Sequence, residues 1–295
     1  MYAITGITGK VGGVVARSLL KAGLPVRAVV RDIAKGQPWA ELGCEIALAE
    51  ISDAEALTKA FEGADGVFLM TPPNYDPQPG FPHTQANAVA IRKALLTARP
   101  KQVVFLSTVG AHIAEPNLLN NSKMTEEMLR TLDVPVCMLR AAWFMENAAW
   151  DVDAARTGAI HCFLQPQDHP IPMVAADDIG HTAAEILCDE WTGVRIVELE
   201  GPARYSANDL ASGFSAALGR PVRMVPVPRD TWETLFRSQG MRYPMPRIRM
   251  IDGFNEGWID FQRGIGIEHR KGQIPLDAVL KTLVAHVSSQ SPAAG

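Results

Sequence analysis

The stretch Tyr2-Ala3-Ile4-Thr5-Gly6-Ile7-Thr8-Gly9-Lys10-Val11-Gly12-Gly13-Val14-Val15-Ala16-Arg17-Ser18-Leu19-Leu20-Lys21-Ala22 decides the fold. A short apolar strand runs into glycines at a Gly-x-x-Gly-x-x-Gly spacing, Gly6, Gly9 and Gly12. A helical pattern follows, with Val11, Val15 and Leu19 on one face. Each glycine has a reason. Gly6 turns the chain sharply off the strand, Gly9 lets a pyrophosphate approach the backbone, and Gly12 brings the helix close to the sheet. The helix start then aims unpaired N–H groups and a partial positive charge at the phosphates. Gly6, Thr8, Gly9, Lys10, Val11 and Gly12 are therefore the residues expected around a dinucleotide pyrophosphate.

Outward from this turn, Val26 to Val30 reads as the second strand and ends at Arg31-Asp32. The residue at that strand end faces the adenosine ribose: an acid binds a 2′-hydroxyl, a cation accommodates a 2′-phosphate. Arg31 favours NADP(H), with Lys35 nearby as help, while the adjacent Asp32 keeps NAD(H) open. The alternative for Arg31 is a solvated loop cation.

Strands and helices alternate from there. Glu45–Ala49, Gly66–Met70, Val103–Leu106 and Val136–Leu139 read as further strands, Gly66–Met70 being a continuous apolar run of the buried parallel type. Helices are expected over 54–61, 84–98 and 123–132. Such alternation implies right-handed crossovers and a parallel sheet. Ligands bind beyond the carboxyl ends of such strands. That places Thr71, Pro72 and Pro73 after the fourth strand, and Ser107 and Thr108 after the fifth, beside the cofactor. Trp143, Phe144 and Asn147 after the sixth strand, with His83 and Met173, form the candidate substrate pocket, although Met and aromatic residues at such spacing are more often core. Past Trp150 the pattern loosens. It retains a helix from Asp177-Asp178 to Cys188, with the two acids as its caps, a strand at 194–199, a helix capped by Ser206, a strand at 222–227 and helices over 232–239 and within 241–259.

The chain has 295 residues, 47% of them hydrophobic and 20% charged, with a formal net charge of −4. This is an ordinary globular balance, without the basic stripe of a nucleic-acid binder. No apolar run approaches the roughly 20 residues of a membrane span, and the N-terminus enters the first strand directly, so a cytoplasmic protein is expected. Cys44, Cys137, Cys162 and Cys188 form no metal or Cys-x-x-Cys spacing, nor do the seven histidines, so no metal is expected.

Short-chain reductases use a Tyr-x-x-x-Lys pair. Four residues beyond Tyr2, Tyr75, Tyr205 and Tyr243 stand Gly6, Pro79, Asp209 and Arg247, so the pair is absent. Lys123 lies on the helix that should carry the lysine, with Leu119 four residues before it. It is either a lone cation near the nicotinamide ribose or a solvated helix residue.

Several segments together resemble the NmrA-like, atypical short-chain dehydrogenase/reductase family. They are the glycine turn, Val26–Arg31, Gly66–Pro73, Val104–Ala111, Leu139–Asn147 and Val174–Gly180. The resemblance covers about residues 1–200. It implies an α/β protein: a Rossmann-type doubly wound parallel sheet (1–150) with a smaller α+β C-terminal lobe (151–287) interleaved with it. Residues 288–295 are expected to be a flexible tail. It also implies an NAD(P)(H) site. The family includes NADPH-dependent quinone and dye reductases and dinucleotide-binding regulators without turnover. Two functions are thus expected: an NAD(P)H-dependent oxidoreductase of a flat apolar acceptor such as a quinone, or a redox sensor acting on a protein partner.

Overall fold

The computed structural model describes residues 1–290. Its centre is an eight-stranded, wholly parallel sheet. The strands are β1 (Tyr2–Thr5), β2 (Val26–Val30), β3 (Glu45–Leu48), β4 (Gly66–Leu69), β5 (Gln102–Thr108) and β6 (Val136–Ala141), followed by two from the second half of the chain, Val194–Glu200 and Ile267–Lys271. The order runs 3-2-1-4-5-6, with the two late strands extending the β6 edge. The first six reproduce the doubly wound dinucleotide-binding order, whose direction reverses between β1 and β4.

Helices cover both faces. The first, α1 (Lys10–Lys21), buries Val11, Val15 and Leu19, the face expected from its period. On the other face lie α3 (Ala54–Phe61), α4 (Pro82–Ala98) and α5 (Asn120–Leu129), over a core of Phe61, Leu57, Ile91, Phe105 and Met138. Asp53 caps α3, accepting the Glu55 and Ala56 N–H groups at 3.0 Å each. Pro82 occupies the first turn of α4, where its missing N–H costs nothing. A helix the sequence does not announce, α2 (Ile33–Glu41), contains Gly36 and Pro38. Asp32 starts it by accepting the Ala34 N–H at 2.9 Å.

The remaining elements build the smaller layer. Strands β7 (Trp143–Phe144), β8 (Ala159–Cys162) and β9 (Ile171–Val174) come with α6 (Val152–Thr157) and α7 (Ala176–Cys188). The late sheet strand β10 (Val194–Glu200) leads to β11 (Arg204–Tyr205), α8 (Ala207–Leu218) and β12 (Arg223–Pro226). The chain then makes α9 (Trp232–Ser238), α10 (Met245–Glu256), β13 (Ile267–Lys271) and α11 (Leu276–Gln290). Two small sheets, β11-β9-β7 and β12-β8, enclose a second core around Phe214, Ile160, Met173 and Leu280. Ser206 caps α8 in a reciprocal box with Asp209.

Four expectations are corrected. β8, β9, β13 and α11 are not among the expected elements: β8 and β9 are four-residue strands broken by His161 and Pro172, β13 has one apolar residue, and the amphipathic run of α11 lies beyond the last expected helix. α5 begins at Asn120 and ends at Leu129, one turn before the expected limits. The acids at the start of α7 are not its cap: Asp178 accepts the Gln273 and Ile274 N–H groups at 3.1 and 3.0 Å, and Glu146, in the 3-10 turn after β7, accepts that of Ala176 at 3.0 Å. Helix α11 carries the chain through 288–290, while 291–295 of the expected tail lie outside the described residues. Among the described residues no helix is long and apolar enough to cross a membrane.

Candidate active site

The carboxyl ends of β1, β2, β3 and β4 enclose a cleft of about 190 Å³ at the point where the strand order reverses. Its walls are Thr5, Gly6, Thr8 and Gly9 from the glycine turn, Val29, Val30 and Arg31 from β2, Ala49 and Ile51 after β3, and Met70, Pro72 and Pro73 after β4, with Leu57 behind. The Thr5 hydroxyl locks two strand ends together, accepting the Met70 N–H at 2.7 Å and donating to the Phe68 carbonyl at 3.1 Å.

The backbone of the turn requires its glycines. Gly6 has φ +62°, and any Cβ there would strike the Met70 methyl. A Cβ on Gly12 would stand 2.7 Å from the Gly6 carbonyl carbon, against backbone that cannot yield. Gly12 therefore closes the turn on itself. Gly180 of α7 makes a separate close approach, helix on helix, where a Cβ would lie 2.5 Å from that of Val14 on α1. No side chain caps α1. Its first N–H groups are thus free for an anion at the cleft.

Arg31 is exposed at the cleft edge and, among the described residues, carries no ion pair or side-chain hydrogen bond. Asp32 points its carboxylate into the start of α2, so the adjacent acid is already engaged. Lys10 is exposed in the first turn of α1, and Val11 is buried beneath it.

Other expected site residues are placed elsewhere. Ser107 is buried and donates to Glu126 Oε1 at 2.6 Å; it does not line the cleft, and neither do Thr71 and Thr108, both half-buried. Lys123 Nζ donates to the Ile113 carbonyl at 3.1 Å, in the loop between β5 and α5. Met173 is 1% exposed and Trp143 sits edge-on to Phe254 at 5.2 Å, both in the second core, while Phe144 packs on the first. For Met173 this corrects the pocket assignment: it has no surface to offer a ligand. Asn147 is half-buried in the 3-10 turn Met145–Asp151. His83 lines a second cleft of about 370 Å³, formed by the proline-rich segment 74–84 with Asn74, Asp76 and Phe81.

Sequence reasoning missed a buried charge network behind the site. Ser107, Arg140 and Glu198 face one another across β5, β6 and β10 in register. Arg140 donates to both Glu126 oxygens at 2.8 and 2.7 Å, to Glu198 at 3.2 Å and to Gln262 at 2.7 Å. Burial raises the Glu198 carboxyl above its ordinary value despite Gln262 and Arg140. Burial, then the Arg140 guanidinium, lowers the imidazole of His112, which stands after β5. Only the alternation of these strands with polar residues, Ser107, Arg140 and Glu198 in apolar runs, could have signalled it.

Comparison with known proteins follows the same lines. The model of the NmrA-like family matches residues 2–286. The chain is 26% identical over 246 residues to an NAD(P)H azoreductase of Xenophilus azovorans, covering 82% of each. It is 26% identical over 246 residues to quinone oxidoreductase 2 of Escherichia coli K12, again 82% of each. The solved structure of Citrobacter sp. triphenylmethane reductase complexed with NADP(H) superposes with a TM-score of 0.79 at 23% identity, over 96% of this chain and all of that one.

Proposed function

The chain belongs to the NmrA-like family, and from that premise we propose that it is an NAD(P)H-dependent reductase of a flat aromatic acceptor such as a quinone. The observation that carries this reading is the cleft at the strand-order reversal, with a turn in which Gly6 and Gly12 leave no place for a Cβ and an uncapped α1. Relatives named as an NAD(P)H azoreductase and a quinone oxidoreductase support the reaction class.

The turn fits a dinucleotide. Gly6, Thr8 and Gly9 with the N–H groups of Lys10 and Val11 would hold the pyrophosphate, and Gly12 keeps the turn tight enough for it to approach. Val29, Val30, Ala49, Ile51 and Leu57 make an apolar slot for adenine. Arg31 reads the 2′-phosphate, favouring NADP(H). Thr71, Pro72 and Pro73, with the backbone at Ser107 and Thr108, flank the nicotinamide. The reduced nicotinamide supplies the hydride when bound. The protein's part is alignment and exclusion of water. A quinone reduced to its anion can take its proton from solvent, so the missing tyrosine is tolerated. Lys123, held on the Ile113 carbonyl, orders the loop after β5 and offers a positive charge to the developing anion. The acceptor would lie among His83, Trp143, Phe144 and Asn147. His83 and Asn147 carry the accessible polar groups there.

Pure protein mixed with NADPH and a panel of quinones tests the reading. Oxidation well above the protein-free rate is expected. A second reading, a dinucleotide sensor for a protein partner, is favoured by the engaged Lys123 and the absent tyrosine. It predicts different affinities for NADP and NADPH, or for NAD and NADP, and no turnover with any acceptor.

A further inference from the structure

Tyr75, on the segment after β4, and Trp150, on the 3-10 turn after β7, form an exposed aromatic pair. Tyr75 meets Trp150 edge-on at 6.0 Å, and the two are 45% and 66% exposed. Large aromatics this open, and contiguous, mark a contact surface. The pair is held in place from the second half of the chain: Asp76 accepts the Arg242 and Tyr243 N–H groups at 2.8 and 2.6 Å. Those residues lead into α10, which carries Arg247 in its first turn.

Arg247 is half-buried and has no carboxylate partner among the described residues. Its guanidinium lies 4.7 Å above the Phe236 ring, and Nη1 contacts Met241 Sδ at 3.8 Å. Neither neighbour is a counter-ion. The contrast with the other arginines is chemical. Arg140, Arg195, Arg204 and Arg229 each hold an acid, and each has its basicity raised. Burial lowers that of Arg247, and Tyr75 is the ionisable group that acts on it. A half-buried cation without an anion is a standing cost. In a protein of net charge −4 an acid is not hard to supply. Asp76, the acid of the facing segment, is instead spent on backbone N–H groups.

We propose that Arg247 binds an anionic substituent of the acceptor, whose ring lies on Tyr75 and Trp150, so that the preferred substrates are planar aromatics bearing a sulfonate or carboxylate. The proposal rests on the reductase reading and adds the charge of the acceptor to it. A planar guanidinium suits either group, because both present paired oxygens to its fork.

The test compares 1,2-naphthoquinone-4-sulfonate with neutral 1,2-naphthoquinone as acceptors from NADPH, in wild-type protein and in Arg247→Met and Arg247→Lys. Wild type is expected to show the lower KM for the sulfonate. The ratio of the two KM values should rise about tenfold toward the neutral compound in Arg247→Met, with partial recovery in Arg247→Lys. A ratio that stays within about twofold across all three proteins overturns the proposal and leaves the reductase reading standing. If neither quinone oxidises NADPH, the reductase reading fails, and calorimetry with naphthalene-2-sulfonate and 2-naphthol decides the site. Tighter sulfonate binding that Arg247→Met abolishes supports the anion site; equal binding of the two compounds to wild type overturns it.

Discussion

At the residue scale the account turns on a few atoms that have no substitute. Gly12 sits over the Gly6 carbonyl, and Arg31 stands at the edge of the same cleft with its charge uncommitted. If Arg31 reads a 2′-phosphate, Arg31→Ala weakens NADPH binding by about 1–3 kcal/mol, the scale of a charge-assisted contact, and leaves NADH nearly as before. Calorimetry with both cofactors checks this; equal losses reject the assignment. Asp32 shows why sequence left the choice open. A carboxylate beside a phosphate site is repulsive when free, and only the structure shows it turned into the start of α2. Ser107 shows the reverse failure. Its place at a strand end suggested a ligand, but register with Arg140 draws its hydroxyl inward to Glu126. Strand ends can be read from a sequence; the direction in which a side chain leaves them depends on the neighbouring strands.

At the element scale the first half of the molecule was legible because its signals are local. β1, β2 and β4 to β6 are apolar runs bounded by turn residues, and α1 shows its buried face every fourth residue. The second half depends on distant pairing. β13 reads Ile-Glu-His-Arg-Lys and is a strand because β10 offers it a parallel edge, with Arg195 and Glu268 bridging the two at 2.9 Å. β9 contains a proline and pairs on both sides through short ladders. The packing of α7 on α1 is likewise set by one residue, Gly180, lying on Val14. Gly180→Ala forces the helices apart and is expected to destabilise the protein by about 1–3 kcal/mol, the cost of overpacking a fitted contact. Urea unfolding reads it, and stability equal to wild type would show that the helices part without strain.

At the scale of the whole molecule, one buried carboxyl ties stability to pH. Asp151 ends the 3-10 turn that carries Asn147 and Trp150. Burial pushes its carboxyl up from 3.8 to about 6. The folded protein thus holds this proton more tightly than the unfolded chain. The contribution is fully present below about pH 3.8 and is lost as pH rises through about 6. Asp151→Asn keeps the shape without the charge. It should change stability little at about pH 4 and raise it by up to about 3 kcal/mol near pH 8. Unfolding curves at the two pH values check the sign, and a constant difference contradicts it.

The central claim is that the dinucleotide in the glycine cleft is spent and not merely sensed. The direct test is a single turnover with protein in excess over NADPH, so that only bound cofactor is observed, on mixing with 1,2-naphthoquinone-4-sulfonate or 1,2-naphthoquinone. The account predicts loss of the reduced-nicotinamide absorbance far faster than in the protein-free mixture. Bound NADPH that keeps its absorbance with both quinones would contradict it and leave the sensor in its place.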